Sequence, residues 1–230
     1  MKSAKVRLFV DQPLDRGQSV ALSRDQAHYL FGVMRLSAGS SVAIFNGRDG
    51  EWQAEVVSAG RKDGTLTCIK QSRPQTYPPD LWFLFAPVKK SRTDFIVEKA
   101  VEMGVARIVP VATDLTNAER IRRDRLQAHA VEAAEQCGAT FVPEVAELAK
   151  LDRILKDWPT ERNIMFCDEA LAGNDVSLPD KSGPWAILIG PEGGFSGKER
   201  TRLAAMEQSY PVALGPRILR ADTAAVAALT

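Results

Sequence analysis

The 230-residue chain has no apolar run approaching the ~20 residues that a membrane-crossing helix needs. Its three cysteines, Cys68, Cys137 and Cys167, are odd in number, far apart and without C-x-x-C spacing. That argues against a disulfide framework or a zinc site and fits a reducing compartment, with each thiol expected as a small buried hydrophobe. Charge of one sign is also lacking: 30 Lys/Arg against 29 Asp/Glu leave a net +1, so no strongly basic nucleic-acid binder stands out. The segment Met1-Lys2-Ser3-Ala4-Lys5 is charged, but no apolar stretch follows it, which speaks against a secretory leader. There are no internal repeats and no low-complexity tracts. With 45% apolar residues, the chain reads as globular rather than disordered, and the reducing compartment that its cysteines fit leads us to expect a cytoplasmic protein.

The small net charge hides an asymmetry. Residues 1–74 carry 11 Lys/Arg and 7 Asp/Glu, a net +4, and the remainder carries 19 and 22, a net −3. A mildly basic module on a mildly acidic body is compatible with RNA binding by the first part. The boundary falls at Pro74, Pro78 and Pro79, whose rings cannot continue a helix or a central strand. We divide the chain into a first domain, 1–72, a linker, 73–79, and a second domain, 80–230. Before the linker, short β-like segments dominate, at 6–10, 42–45, 52–57 and 65–70. The pairs Asn46-Gly47, Asp49-Gly50 and Asp63-Gly64 read as tight turns, and a single helix is expected over 24–34.

Beyond the linker the period changes. Apolar runs of strand length at 81–86, 107–111, 163–167, 185–189 and 212–214 alternate with helical spacing. That spacing occurs at Ile96, Val97, Ala100 and Val101, at Leu126, Ala130, Ala133, Ala134 and Cys137, and over 150–158 and 197–207. Alternating strands and helices mean an α/β fold with a largely parallel sheet. Ligands of such folds bind beyond the C-terminal ends of strands.

Two strand ends stand out. The first reads Ile189-Gly190-Pro191-Glu192-Gly193-Gly194-Phe195-Ser196, where glycines permit positive φ and close approach of a ligand. Ser196 and Glu199 fit a capping box, so a helix begins there with its free N–H groups facing the loop. The turn lacks the Gly-Lys-Ser/Thr of a triphosphate loop and the G-x-G-x-x-G of a dinucleotide fold. The second strand is expected to end at Gly215 and is followed by Pro216-Arg217-Ile218-Leu219-Arg220-Ala221, with Asp222 or Thr223 capping a final helix. Ile218 and Leu219 are apolar inside a loop, so they should fold inward or line a pocket. An apolar slot edged by backbone amides and a guanidinium suits a flat adenosine-like ligand.

I-G-P-E-G-G-F-S followed by L-G-P-R-I-L-R-A-D-T-A resembles the paired C-terminal motifs of the RsmE family, the uridine-N3 methyltransferases of bacterial 16S rRNA in the SPOUT class. The resemblance runs nearly the whole chain. His28-Tyr29-Leu30, Val33-Met34-Arg35-Leu36 and Phe45-Asn46-Gly47 resemble the family's PUA-like RNA-binding domain. Lys99-Ala100-Val101-Glu102-Met103-Gly104-Val105 resembles its K-A-T-E-L-G-V segment. Glu132-Ala133-Ala134-Glu135-Gln136-Cys137-Gly138 with Val142-Pro143 resembles E-A-x-E-Q-x-G-R-x-x-V-P, with Ala139 where the family has Arg. The family's last helix continues into a short tail beyond the position of Thr230, so the chain is expected to be shortened there.

The resemblance implies a small β-rich PUA-like domain followed by a SPOUT-type trefoil-knotted methyltransferase domain. It implies S-adenosylmethionine (SAM) as cofactor, no metal, 16S rRNA of the small ribosomal subunit as substrate, and a homodimer. The cofactor site it implies comprises Asp168, Glu169, Ile189, Gly190, Pro191, Glu192, Gly193, Gly194, Leu214, Gly215, Ile218, Leu219, Arg220, Thr223 and Ala224. Catalysis would fall to Arg220, stabilising charge on the uracil oxygens, and to Glu192, which either orients the loop or serves as a base. RNA would meet Arg7, His28, Arg35, Asn46 and Arg48 of the first domain, and Arg122 and Arg123 from the densest basic run. Three other readings stay open: a SPOUT methyltransferase with another RNA target, a non-catalytic RNA-binding assembly factor, and a nucleotide-binding enzyme that uses the glycine-rich turn.

Overall fold

The structure, a computed structural model, describes residues 6–174, 176 and 178–230, so the charged segment Met1–Lys5 lies outside the described residues. The chain divides into two units. One comprises the residues up to Tyr77 together with Ala134–Val142, the other Pro78–Ala133 and Pro143–Thr230.

In the first unit, β1 (Arg7–Phe9), β2 (Ser19–Ala21), β3 (Ser41–Phe45), β4 (Glu51–Ala59) and β5 (Gly64–Arg73) form one sheet in the order β1-β3-β4-β5-β2. β1 runs parallel to β3, and the other pairs are antiparallel. Leu8, Val20, Ile44, Ala54, Val56 and Leu66 close its core with Leu30 from the helical segment. That segment differs from the single helix expected over 24–34. Ser23 and Gln26 form a capping box that starts α1 (Arg24–Ala27), and the chain then widens into a π-helical turn over His28–Val33. Its closing bond, Met34 N–H to the Tyr29 carbonyl, spans five residues. Leu30 stays buried while His28, Tyr29 and Val33 face out, and Arg35 ends the turn in the left-handed region at φ 54.

A buried ion cluster organises this unit. Glu51 accepts hydrogen bonds from Arg7 Nε at 2.7 Å, from Ser72 Oγ at 2.9 Å and from Arg73. Arg7 also donates to the carbonyl oxygens of Ala134, Glu135 and Ala139 at 2.6–2.8 Å, and its guanidinium lies over the Phe45 ring. These carbonyls belong to the C-terminal end of α3 (Arg123–Cys137) and the turn after it, where a cation complements the helix dipole. Ala139, which departs from the family pattern, therefore takes part through its backbone.

The second unit carries seven strands. After α3 in chain order come the short β8 (Glu144–Val145) and β9 (Ala149–Lys150). The others are β6 (Leu81–Phe85), β7 (Arg107–Ala112), β10 (Asn163–Cys167), β11 (Trp185–Ile189) and β12 (Ser209–Val212). Their order is β12-β10-β11-β6-β7-β8, with β9 also on β7, and every pair is parallel. α2 (Lys90–Glu102), α4 (Leu151–Lys156), α5 (Gly197–Ala204) and α6 (Ala221–Leu229) complete it, and α6 packs on α2 and β11. The expected α/β class and most strand positions hold. Three expectations do not. Cys137, at the end of α3, is exposed rather than a buried hydrophobe. The strand expected over 212–214 lies at Ser209–Val212, because its neighbour β10 ends level with Val212 and the ladder's last bond runs from Asp168 N–H to the Val212 carbonyl. The final helix is N-capped by Arg220 without a side-chain bond, so Asp222 and Thr223 sit in its first turn rather than at the cap.

Among the described residues no helix is long and apolar enough to cross a membrane.

Burial pushes the Glu51 carboxyl up, but the bonds from Arg73, Arg7 and Ser72 outweigh it and bring it down to about 2 from 4.5. A depressed carboxylate stabilises the fold above its unfolded value and loses that contribution as pH falls through its folded value; the difference corresponds to a stabilisation on the order of 3 kcal/mol. Glu51→Gln is therefore expected to lower the denaturant midpoint most at neutral pH. The gap to the parent should shrink below pH 4.5 and fall to about half or less by pH 3. Denaturant unfolding at both pH values measures it, and a pH-independent gap contradicts the ion-cluster account.

Candidate functional site

The parallel register sets three strand ends side by side. Cys167 of β10 is level with Ile189 of β11 and with Val212 of β12. The chain leaves each at the same edge of the sheet, and the three following loops enclose a cleft of about 550 Å³, part of it open to solvent.

Ten of the fifteen residues expected to hold a cofactor line this cleft: Asp168, Glu169, Ile189, Gly190, Pro191, Glu192, Leu214, Ile218, Leu219 and Ala224. Gly193, Gly194, Gly215 and Arg220 on the same loops, and Thr223 in the first turn of α6, do not line its wall. Cys167, Ala172, Val212, Arg217 and Ala221 complete the lining. Burial pushes the Cys167 thiol up to about 12, so it supplies apolar surface and no thiolate. Ile218 does not fold inward. It is 73% exposed at the mouth, while Leu219 is half-buried.

The glycine turn has three different local reasons. A Cβ on Gly190 would come within 2.6 Å of the buried Phe195 ring. Gly194 has φ +73, and a Cβ there would meet a Glu169 carboxylate oxygen at 1.8 Å. Gly193 has neither constraint, since its Cβ would make ordinary contact with Leu115. Ser196 and Glu199 form the expected reciprocal capping box at the start of α5.

Sequence reasoning missed Arg200. From α5 it reaches Asp168 at 3.0 and 3.2 Å, and it also bonds Glu169 and the Phe195 carbonyl. Asp168 is only 8% exposed, and its Oδ1 also accepts from the Ala170 N–H. In sequence Arg200 looks like one more charge on a solvated helix. Only its position one turn after the glycine loop, with two acids at another strand end, hints at this role.

Beside the cleft lies an open chamber lined by Lys89, Arg92, Glu192, Ile218, Leu219 and Arg220. It shares Glu192, Ile218 and Leu219 with the cleft, so one wall separates the two spaces. Arg92 pairs with Glu192 and approaches Asp222 at 3.6 Å. Glu192 thus carries a cationic partner that ties its loop to α2.

The residues expected to meet RNA separate into two groups. His28, Arg35 and Arg48 of the first unit are exposed. Arg122 of the second is exposed and paired with Asp124 at 2.7 Å. Arg7 and Asn46 are instead internal. Arg7 donates four bonds within its own unit. Asn46, 6% exposed, bonds the Gln12 carbonyl, the Asp49 carboxylate and the N–H groups of Arg48 and Asp49. Arg123 Nε is held by the Val145 carbonyl at 2.7 Å. Among the described residues no group of three or more His, Cys, Asp or Glu is arranged to hold a metal ion.

A family model described as an RNA methyltransferase domain matches residues 75–230, and one described as an RNA methyltransferase PUA domain matches residues 22–67. The ribosomal RNA small subunit methyltransferase E of Rickettsia conorii is 25% identical across 97% of this chain and 93% of its own. A Legionella pneumophila methyltransferase solved with bound SAM superposes with a TM-score of 0.89 at 26% identity, covering 99% of this chain and 96% of that one. The ribosomal RNA small subunit methyltransferase E of Neisseria gonorrhoeae, bound to S-adenosyl methionine, gives 0.88 at 25% identity over 97% and 94%.

The glycine geometry predicts unequal tolerance within one turn. Gly194→Ala should destabilise the protein by about 1–3 kcal/mol through positive-φ strain and overlap with Glu169. Gly193→Ala should stay within about 0.5 kcal/mol of the parent. Urea midpoints of the two variants decide this, and equal midpoints would show that the turn is not braced as described.

Proposed function

Because this chain belongs to the RNA methyltransferase domain family, we propose that it transfers a methyl group from SAM to N3 of a specific uridine in 16S rRNA of the small ribosomal subunit. The observation that carries this is the pair of spaces sharing one wall: an apolar, backbone-edged cleft at three strand ends, and a cationic chamber against it. The cleft fits a nucleoside cofactor. Two glycines keep its turn free of Cβ atoms that would strike Phe195 and Glu169, and its walls combine the apolar Ile189, Leu214 and Leu219 with Asp168, Glu169, Glu192 and Arg217. SAM, when bound, supplies an electrophilic methyl on a sulfonium.

The chain's own residues hold and bias the nucleotide. Uridine N3 is a weak nucleophile until its proton leaves to solvent, and the negative charge then spreads over the flanking carbonyl oxygens. Arg220 stands in the chamber where such charge develops and stabilises it as an oxyanion donor, with Lys89 and Arg92 adding positive potential. Arg92 holds Glu192 and so fixes the shared wall. Ile218, exposed at the mouth, closes over the ligand and excludes water. Orientation is the largest lever available to such a site, worth as much as ~7–11 kcal/mol.

RNA is held by the exposed His28, Arg35 and Arg48 of the first unit and by Arg122 of the second, without Arg7 and Asn46. The segment before Pro74 thus chiefly binds RNA, and the part beyond the prolines chiefly binds cofactor. A cytoplasmic location, a knotted threading of the last helix and a homodimer belong to the same proposal. The dimer is supported by Val226, Ala228 and Leu229, half-buried apolar positions of α6.

The test is methyl transfer to small ribosomal subunits that lack the modification, followed by mass spectrometry of the nucleosides. The parent protein should yield 3-methyluridine. Arg220→Ala should bind the subunit about as well while single-turnover transfer falls about a hundredfold or more. A different methylated nucleoside overturns the assignment of the target, and a full rate in Arg220→Ala removes that residue from catalysis.

A further inference from the structure

Arg200 joins the loops after two different strands. Its Nε meets both oxygens of Asp168 at 3.0 and 3.2 Å, one Nη bonds Glu169 Oε1, and the other bonds the Phe195 carbonyl at the end of the glycine turn. Asp168 and Glu169 both line the cleft. The Glu169 carboxylate lies directly against Gly194, where no side chain fits. Among the described residues, Glu169 Oε2 takes no hydrogen bond, so the protein holds one oxygen of this cleft-lining carboxylate and leaves the other without a protein donor.

We propose that Arg200 is a positioning residue for the cofactor, presenting Glu169 Oε2 as the acceptor for the 2′,3′-diol of the bound nucleoside's ribose. This rests on the cofactor assignment above. A planar fork that meets three acceptors fixes a carboxylate's direction in a way an ammonium does not. It also decides the kind of donor the free oxygen takes. Arg200 already matches part of the charge on the Asp168–Glu169 pair, and hydroxyls donate to the free oxygen without bringing a further charge. The loss of such a bond on a preset acceptor costs more than on a mobile one, because no ordering entropy is spent on binding.

The experiment titrates the parent protein, Arg200→Met and Glu169→Gln with S-adenosylhomocysteine, with 5′-methylthioadenosine, which lacks the amino-acid portion, and with the 2′,3′-dideoxy form of the latter. The parent should prefer the diol over the dideoxy ligand by ~tenfold or more. Both variants should flatten that preference to within about twofold and weaken S-adenosylhomocysteine and 5′-methylthioadenosine by similar factors. Arg200→Lys should regain only part of the preference, which separates positioning from simple charge. Thermal unfolding identifies any variant that has lost its fold, and the Lys variant then carries the comparison. A diol preference unchanged in folded Arg200→Met or Arg200→Lys overturns the proposal and leaves Arg200 as a brace. A loss confined to S-adenosylhomocysteine also overturns it, because the free oxygen then faces the amino-acid ammonium. Failure of the parent to bind any of the three overturns the cofactor assignment itself, and this inference with it.

Discussion

The level, parallel pairing of β10 with β11 and β12 is the constraint on which the second unit's chemistry depends. Strand ends that stop together release their loops together, and Cys167, Ile189 and Val212 stop together. A one-residue slip would turn every side chain of a strand to the opposite face. It would also move Asp168 away from the Val212 carbonyl and the glycine turn away from Glu169. The cleft is therefore a property of register before it is a property of any single residue. The apolar runs of Asn163–Cys167 and Trp185–Ile189, buried on both faces, hold that register.

Arginine does much of the remaining work, and little of it on the surface. Arg7 ties Glu51 to the end of α3, Arg92 ties Glu192 to the first turn of α6, and Arg200 ties two cleft loops. Arg162 lies over the Trp82 ring and forks onto the Asp80 carboxylate at 2.8–2.9 Å. Each guanidinium meets several acceptors at once, a geometry that suits a planar fork and not a lysine. The near-zero net charge fits this use, since a large share of the cations is matched within the fold rather than presented to an anionic partner.

This explains where the sequence was legible and where it was not. Period and punctuation carry local information, so the strands at Asn163–Cys167 and Trp185–Ile189 have the bounds their apolar runs predict, and Ser196 and Glu199 cap α5 as their spacing predicts. Features that depend on a distant partner do not show. Arg7 and Asn46 look like exposed polar residues of a basic module, yet their partners lie 127 and 34 positions away at Ala134 and Gln12. The strand before Gly215 is misplaced because its length is set by β10 and not by its own composition. Leu30 and the widened turn that buries it are invisible to a period of 3.6. Glycines and a likeness to a family mark the site loops in the sequence, and Arg200 carries no such mark.

The central claim is that cofactor binds where the three strand ends converge. Hydrogen exchange of backbone amides, with and without saturating S-adenosylhomocysteine, tests it most directly. The account predicts added protection in peptides covering 168–172, 189–196 and 213–224, with the sheet of the first unit unchanged. Protection confined to the first unit, or to the opposite edge of the parallel sheet around Gly183 and Pro184, would contradict it.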